Sequence, residues 1–168
     1  HVQGYDEGAS PPACLPASLK PNTDVVALRR VRTCMAGTAG CEAIVATQPY
    51  LQVGLCGTSG NAYALGISTD IAWPHTMKDC LTPAGRRRYV AHVYFVSNDN
   101  GAGASIPTLK RLELNGGGFT EVALVEGIER LQIEYGIDTD GDGSPDAYTA
   151  DPTSYAPAGC AGCTPSAN

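Results

Sequence analysis

The chain has 168 residues, with 11 Lys or Arg against 17 Asp or Glu and a formal net charge of −6 at pH 7. This length suits one domain with a substantial buried core. The negative charge argues against a nucleic-acid partner held through phosphate contacts, and the largest basic cluster is only the triplet Arg86 to Arg88. We therefore predict no nucleic-acid binding.

Composition also indicates the structural class and the compartment. The 20 glycines and 12 prolines indicate many turns and short strands rather than long helices. Seven cysteines favour an oxidising compartment, such as the periplasm or the cell surface. The sequence has no signal peptide and no apolar run long enough to span a membrane. Because the chain starts at His1 rather than Met, we expect a soluble fragment of a longer protein.

Three segments are predicted along the chain. Residues 1–23 are rich in Gly, Pro and Ser without periodicity, which predicts an extended or looping N-terminal segment tied down through Cys14. Residues 24–150 are expected to form a β-sheet domain, and residues 151–168 a loop rich in Cys, Pro and Gly that covers the sheet. Within the domain, strand-like runs separated by Gly-rich turns predict strands at 24–31, 43–46, 50–55, 62–67, 89–96, 108–114, 119–125, 131–137 and 147–149.

The predicted fold class is therefore mainly β, with an antiparallel sheet. Residues 123–130 offer one helical turn, which Gly127 weakens. The cysteines predict three disulfides and one remaining thiol. Cys34–Cys41 and Cys56–Cys80 are the preferred pairs. The third pair is expected among Cys14, Cys160 and Cys163.

The segment around residue 140 carries the most specific motif. Asp138, Asp140, Asp142 and Asp146 occupy positions 1, 3, 5 and 9 of a calcium loop, and Gly143 occupies position 6, where the sharp turn falls. The backbone carbonyl of Ser144 is then expected to fill position 7. Because carboxylates gathered in a compact loop repel one another, they need a cation or must move apart. We predict a Ca²⁺ site; the alternative is a solvated acidic turn.

The loop departs from an EF-hand in two ways. Position 12 is Thr149, where an EF-hand needs a bidentate Glu. The flanking residues alternate as β strands, whereas an EF-hand has a helix on each side. The pattern therefore predicts an acidic loop, residues 138–149, that joins two β strands.

Catalytic motifs are not evident. The three histidines show no ligand or triad spacing, and no GxSxG or HExxH motif is present. Cys160 and Cys163 have CxxC spacing but lie in a Pro/Gly-rich tail, so structural pairing is favoured over redox chemistry or zinc binding. Nothing places two of Glu126, Glu129 and Glu134 at the separation of a glycosidase pair. We predict that the protein is not an enzyme.

Residues 124–143 resemble the signature of PilW-type minor pilins of bacterial type IV pili. The match covers Leu124, Val125, Glu126, Gly127, Leu131, Gln132, Tyr135, Gly136 and residues 138–143. Weaker likeness extends to residues 23–31 and 89–114. The resemblance implies a structural minor pilin that helps to prime pilus assembly, near the pilus tip.

The resemblance also implies partners and a location. The family begins with a long apolar helix, absent from this sequence, that anchors the subunit in the inner membrane and makes the full-length fold α+β. The implied partners are other minor pilins and the major pilin. The implied location is the periplasmic face of the inner membrane of a Gram-negative bacterium, and then the extracellular pilus. Members of the family usually continue past the acidic loop into a Trp-containing strand, which this chain lacks.

Two other functions remain open at this stage. A type II secretion pseudopilin of related architecture is the nearer alternative. A calcium-dependent adhesive or carbohydrate-binding module is the other, and it needs an aromatic platform beside the loop. Tyr135, Tyr148 and Tyr155 are the candidates for such a platform.

Overall fold

The computed structural model describes residues 2–7, 13–57 and 62–150, and every structural statement below concerns these residues. They form nine strands: β1 (Val2–Tyr5), β2 (Val25–Val31), β3 (Pro49–Val53), β4 (Tyr63–Ile67), β5 (Arg86–Ser97), β6 (Thr108–Asn115), β7 (Gly118–Glu126), β8 (Tyr135–Ile137) and β9 (Ala147–Thr149). This part of the chain contains no helix, and hence none long and apolar enough to cross a membrane. The predicted mainly β fold is confirmed.

Seven strands form one sheet in the order β1-β2-β5-β3-β4, with β6 paired to β5 and β7 paired to β6. The remaining two strands, β8 and β9, form a separate two-stranded sheet. Contacts divide the chain into two compact units. Residues 28–92 and 112–121 form the first unit, and the other described residues form the second.

In the first unit, β3 is antiparallel to both β4 and β5. Its Tyr50 and Gln52 are buried. The Gln52 amide nitrogen donates to the carbonyls of His75 and Ala84 at 3.2 and 2.8 Å, and its oxygen accepts from the His75 backbone N–H at 3.1 Å. Gln52 is therefore a satisfied polar group that fixes residues 75–84 against the strand. The predicted disulfides Cys34–Cys41 and Cys56–Cys80 are both present in this unit.

The second unit has an apolar core that includes Val25, Ala27, Val93, Phe95 and Val96. A buried charge lies in the same unit. The Lys110 ammonium is 2.9 Å from Asp99 Oδ1, and its side chain is only 1% exposed. The lysine thus has the charged partner that burial requires. Cys14 is exposed and bonds to no described cysteine, while its predicted partners Cys160 and Cys163 lie outside the described residues.

Two predicted elements are wrong. Residues 43–46 do not form a strand, because the Val45 N–H donates to the Tyr50 hydroxyl and the Val45 carbonyl accepts from Gln48 in a turn. The helical turn at 123–130 is absent. Strand β7 continues to Glu126, and Gly127 then takes a positive φ of 81° while its N–H donates to the Pro107 carbonyl.

Other boundaries also differ from the prediction. Strand β8 covers only residues 135–137 of the predicted 131–137. The backbone groups of Leu131 and Ile133 bond to Asp24 instead of a neighbouring strand. Strand β5 begins three residues earlier than predicted, and β1 lies within the N-terminal segment. The prediction for residues 151–168 falls outside the described residues.

Candidate metal centre in the β8–β9 hairpin

The acidic loop joins two short antiparallel strands. Tyr135 is opposite Thr149, and Ile137 is opposite Ala147, so residues 138–146 form the connection. The Asp146 N–H donates to the Ile137 carbonyl at 2.9 Å and closes the base of the loop. Gly141 and Gly143 take positive φ values of 81° and 90°, which side-chain-bearing residues rarely adopt. A β strand on each side is what the sequence predicts, and it excludes an EF-hand.

Asp138 organises the first half of the loop. Its Oδ2 accepts from the Gly143 N–H at 2.8 Å, and its Oδ1 accepts from the Gly141 N–H at 2.7 Å. These two bonds, first that of Gly143, lower the pKa of the Asp138 carboxyl below its ordinary value. The first half of the loop is thus wound around the Asp138 carboxylate.

The next two aspartates repeat this pattern two residues apart. Asp140 Oδ1 accepts from the Asp142 N–H at 3.2 Å, and Asp142 Oδ1 accepts from the Ser144 N–H at 2.7 Å. In each case one carboxylate oxygen accepts a backbone N–H in a local turn of the kind that Asp favours.

Asp146 belongs to the second half of the loop but contacts the first. Its Oδ2 accepts from both the hydroxyl and the N–H of Thr139, at 2.6 and 2.8 Å. The hydroxyl bond is the main cause that lowers the pKa of the Asp146 carboxyl. Thr139 therefore holds Asp146 close to Asp138 and Asp140.

Three of the predicted ligands converge. One carboxylate oxygen each from Asp138, Asp140 and Asp146 lies within 4.8 Å of the others, and all three residues are exposed. Asp142 is not in this cluster, and Ser144 contributes to the loop through its N–H. An all-oxygen set of this kind fits a hard divalent cation, which would neutralise the mutual repulsion of the carboxylates. Position 12 is Thr149, which has no carboxylate and is paired with Tyr135 in the hairpin.

Residues beyond the loop hold the hairpin in its unit, and the sequence singled out only some of them. The Tyr135 ring lies over Gly4 of β1, where a Cβ atom would overlap its hydroxyl. On the next residue, a Cβ at Gly136 would lie 2.8 Å from Pro145 of the loop. Both glycines are therefore needed for close packing. The Tyr-Gly pair was visible in the sequence, but Gly4 carries no local signal.

Asp24 is the second missed residue. It is 2% exposed, and its oxygens accept from the N–H groups of Glu7 and Ile133 at 3.2 and 2.6 Å. Its own N–H donates to the Leu131 carbonyl at 2.9 Å. The segment that leads into β8 is thus attached to the start of β2. In sequence, an Asp before a strand is unremarkable, so only its burial identifies the role.

One comparison with known proteins found a similar family, and the matched region contains the hairpin and its acidic loop. Residues 93–157 match the family model of the type IV pilus-assembly protein W, PilW. The match includes β6, β7, both strands of the hairpin and the acidic loop. The searches of curated proteins and of solved structures each found no match. The resemblance predicted from residues 124–143 is thereby confirmed, and residues 93–157 are similar to the PilW family of type IV pilus-assembly proteins.

Proposed function

We propose that this protein is a structural minor subunit of the type IV pilus that helps to prime assembly and lies near the pilus tip. The observation that carries the proposal is the match of residues 93–157 to the pilus-assembly family, with the acidic hairpin inside it. A family of this kind is structural rather than catalytic and works together with other pilus components. In the periplasm and on the pilus, those partners are other minor pilins and the major pilin.

We further propose that the loop binds one calcium ion through Asp138, Asp140 and Asp146, with the other predicted ligands, Asp142 and the Ser144 carbonyl, completing the shell together with water. Support comes from the three converging oxygens and from the backbone bonds that already wind the loop around Asp138. A bound cation would stabilise the loop and so the hairpin that carries the signature. This role is structural.

A test of the pilus role uses the full-length protein in its own host. Deletion of the gene should reduce the number of surface pili, and complementation should restore it. The tagged full-length protein should co-purify with other minor pilins, and antibody-coupled gold should label fibre ends more than shafts. Normal piliation of the deletion strain, together with no co-purification, would contradict the proposal.

The deletion strain and the purified protein also distinguish the two alternative functions. Loss of protein secretion with intact pili would favour a type II secretion pseudopilin. Glycan binding that disappears with chelator would favour the carbohydrate-binding module. For that module, the structure offers little aromatic surface near the loop. Tyr148 is 66% exposed, the Tyr135 hydroxyl is buried, and Tyr155 lies outside the described residues.

A further inference from the structure

Strand β3 buries a polar side chain and exposes an apolar one, which is the reverse of an ordinary strand with one solvated face. Its buried side chains are Tyr50 and Gln52, while Leu51 and Val53 point to the other face, where Val53 is 45% exposed. A strand with one solvated face normally places its polar residues there. The reversal leaves Val53 exposed and Leu51 partly exposed.

The apolar face extends across the neighbouring strand. Leu51 is opposite Leu65 and Val53 is opposite Tyr63, and directly opposed residues share a face of the sheet. Leu65 and Tyr63 are both exposed, Tyr63 by 61%. Contiguous exposed apolar surface of this kind marks an interaction site more often than isolated apolar residues do.

A groove of about 330 Å³ adjoins these strands. We call it the methionine groove, because Met35 and Met77 line it together with Leu51, Val53, Leu55 and Arg87. Both methionines are exposed. Unbranched thioether side chains adapt to the shape of a partner, and methionine is frequent at such surfaces.

Two disulfides constrain the backbone of the groove. The Cys34–Cys41 disulfide lies directly beside Met35, and the Cys56–Cys80 disulfide closes the segment that contains Met77. Met35 lies over Gly85, where a Cβ atom would overlap its sulfur. A groove held in this way loses less conformational entropy when a partner binds.

Arg87 gives the groove its charge preference. It is opposite Leu51, so its side chain is on the apolar face, and no described carboxylate forms an ion pair with it. The other arginines of this basic triplet do have partners: Arg86 contacts Trp73 and Ser68, and Arg88 contacts Glu42 and Gln48. Arg87 is thus the member of the triplet whose guanidinium contacts neither a carboxylate nor another side chain among the described residues, which leaves its charge available to a ligand.

We infer that the methionine groove is the docking surface for an apolar segment that carries a carboxylate, supplied by another pilus subunit. The inference rests on the proposed pilus function. Apolar side chains of that segment would cover the exposed face of β3 and β4, and its carboxylate would pair with Arg87. A protein segment fits better than a small molecule, because the apolar surface continues past the groove over Leu65 and Tyr63.

Site-specific photo-crosslinking in the host bacterium tests the inference. The full-length protein would carry p-benzoylphenylalanine at Val53, or at Thr120 as an exposed control outside the groove. We expect a cross-link from position 53 to a peptide of another pilus subunit that is apolar and contains Asp or Glu. In the protein with p-benzoylphenylalanine at position 53, Arg87→Glu should lower the cross-link yield about tenfold or more, because the new carboxylate repels that of the partner. The exposed Arg30→Glu on β2 should not lower it.

A charge swap completes the test. Exchange of the partner carboxylate for Lys should restore the cross-link in the Arg87→Glu variant. A cross-link to another part of the same chain, to a second copy of it, or to a peptide without a carboxylate would overturn the inference, as would equal yields with and without Arg87. If the tagged protein still co-purifies with other pilins while position 53 forms no cross-link, the inference fails and the proposed function stands.

Discussion

The Asp24 carboxylate accepts a hydrogen bond of 2.6 Å from the backbone N–H of Ile133, although 109 residues separate them in the chain. Its second oxygen accepts from the Glu7 N–H. One buried carboxylate thus joins the N-terminal segment, the start of β2 and the segment that leads into the hairpin. Charge-assisted bonds of this kind are among the stronger hydrogen bonds in proteins. The attachment places the base of the acidic loop within a folded unit.

The first prediction concerns this attachment. Asp24→Ala should lower the free energy of unfolding by about 2–4 kcal/mol, because two backbone N–H groups lose a charged acceptor. Asp24→Asn should cost less, since its carbonyl oxygen still accepts one of the two bonds. Chemical denaturation measures both losses, and hydrogen exchange at Ile133 should accelerate in Asp24→Ala. The exposed Asp70→Ala is the control, with an expected change within about 0.5 kcal/mol. Equal stability of Asp24→Ala and wild type would contradict the assignment.

The second prediction concerns the Tyr135 hydroxyl. This group is buried without a hydrogen-bond partner among the described residues. Burial, and then the negative charges of Asp24 and Asp6, raise its pKa above the ordinary value of 10.0. At neutral pH, Tyr135→Phe should leave stability unchanged or slightly higher, since an unsatisfied polar group is removed.

Alkaline pH gives the distinguishing result for Tyr135. A raised pKa in the folded state stabilises the protein below pH 10, and this contribution is lost as the pH rises through the folded-state pKa. Wild type should therefore lose more stability than Tyr135→Phe above pH 10, measured by thermal melts across pH. Tyr148→Phe, at an exposed position, should follow wild type throughout. Parallel alkaline profiles for wild type and Tyr135→Phe would refute the cause assigned to the shift.

The third prediction concerns the disulfides. Peptide mapping of protein purified without reductant should recover Cys34 with Cys41 and Cys56 with Cys80. Replacement of Cys56 and Cys80 by Ser should lower the free energy of unfolding by about 2–4 kcal/mol, because the bond closes a loop with a sequence separation of 24 residues in the unfolded chain. The Cys34–Cys41 disulfide closes a shorter loop, so replacement of both its cysteines by Ser should cost less. Recovery of all four cysteines as alkylated thiols would be the contrary result.

The sequence predicted the strands with strong apolar patterns. Residues 89–96 and 108–114 are found in β5 and β6, because aliphatic and aromatic side chains there fill a buried core. The hairpin was predicted in part. The Gly-rich acidic turn and both flanking strands are local signals, but the first strand is shorter than predicted. Both disulfides were also predicted from spacing, because each closes a short segment between elements.

The failures have one physical cause, which is that side chains outside the predicted segment decide its backbone bonding. Residues 43–46 have strand-like composition, but the Tyr50 hydroxyl captures the Val45 N–H. Residues 131–134 alternate like a strand, yet Asp24 binds their backbone groups. Within the loop, spacing alone could not separate Asp142 from the other three aspartates. The Thr139 bonds help to place Asp146 in the cluster, and they depend on how the loop closes.

The fourth prediction concerns acid pH. Hydrogen bonds to the ionised carboxylates lower the pKa values of Asp138 and Asp146 below 3.8. Carboxyls with a lowered pKa stabilise the fold above the unfolded value, and this contribution is lost as pH falls through the folded value. The loop should therefore stay ordered at pH 5 and loosen below about pH 3.8. Faster amide exchange would report the loosening, and side-chain NMR would report the protonation of the two carboxyls. Amide exchange at Gly143 that accelerates already between pH 6 and pH 5, beyond the intrinsic pH dependence, would contradict it.

The last prediction concerns calcium. Because no carboxylate occupies position 12, affinity should be modest, at about 10⁻⁴ to 10⁻³ M, as in extracellular modules. At ten times the dissociation constant, calcium should stabilise the fold by about 1.4 kcal/mol, which is a rise of a few degrees in Tm. Asp140→Ala should abolish this rise and leave the sheet folded, because the strands bury their own apolar residues. Thermal melts with calcium and with chelator, supported by calorimetry, measure both effects.

Two variants sharpen the calcium test. Glu134→Ala removes an exposed carboxylate just outside the loop and should keep the calcium-dependent rise in Tm. Asp142→Ala removes the aspartate that lies outside the cluster of three, and it should weaken binding less than Asp140→Ala does. Magnesium should replace calcium poorly, because the smaller ion demands a near-octahedral shell that an exposed loop does not fix. A wild-type melting curve that calcium leaves unchanged, with no heat of binding, would reduce the site to an acidic turn.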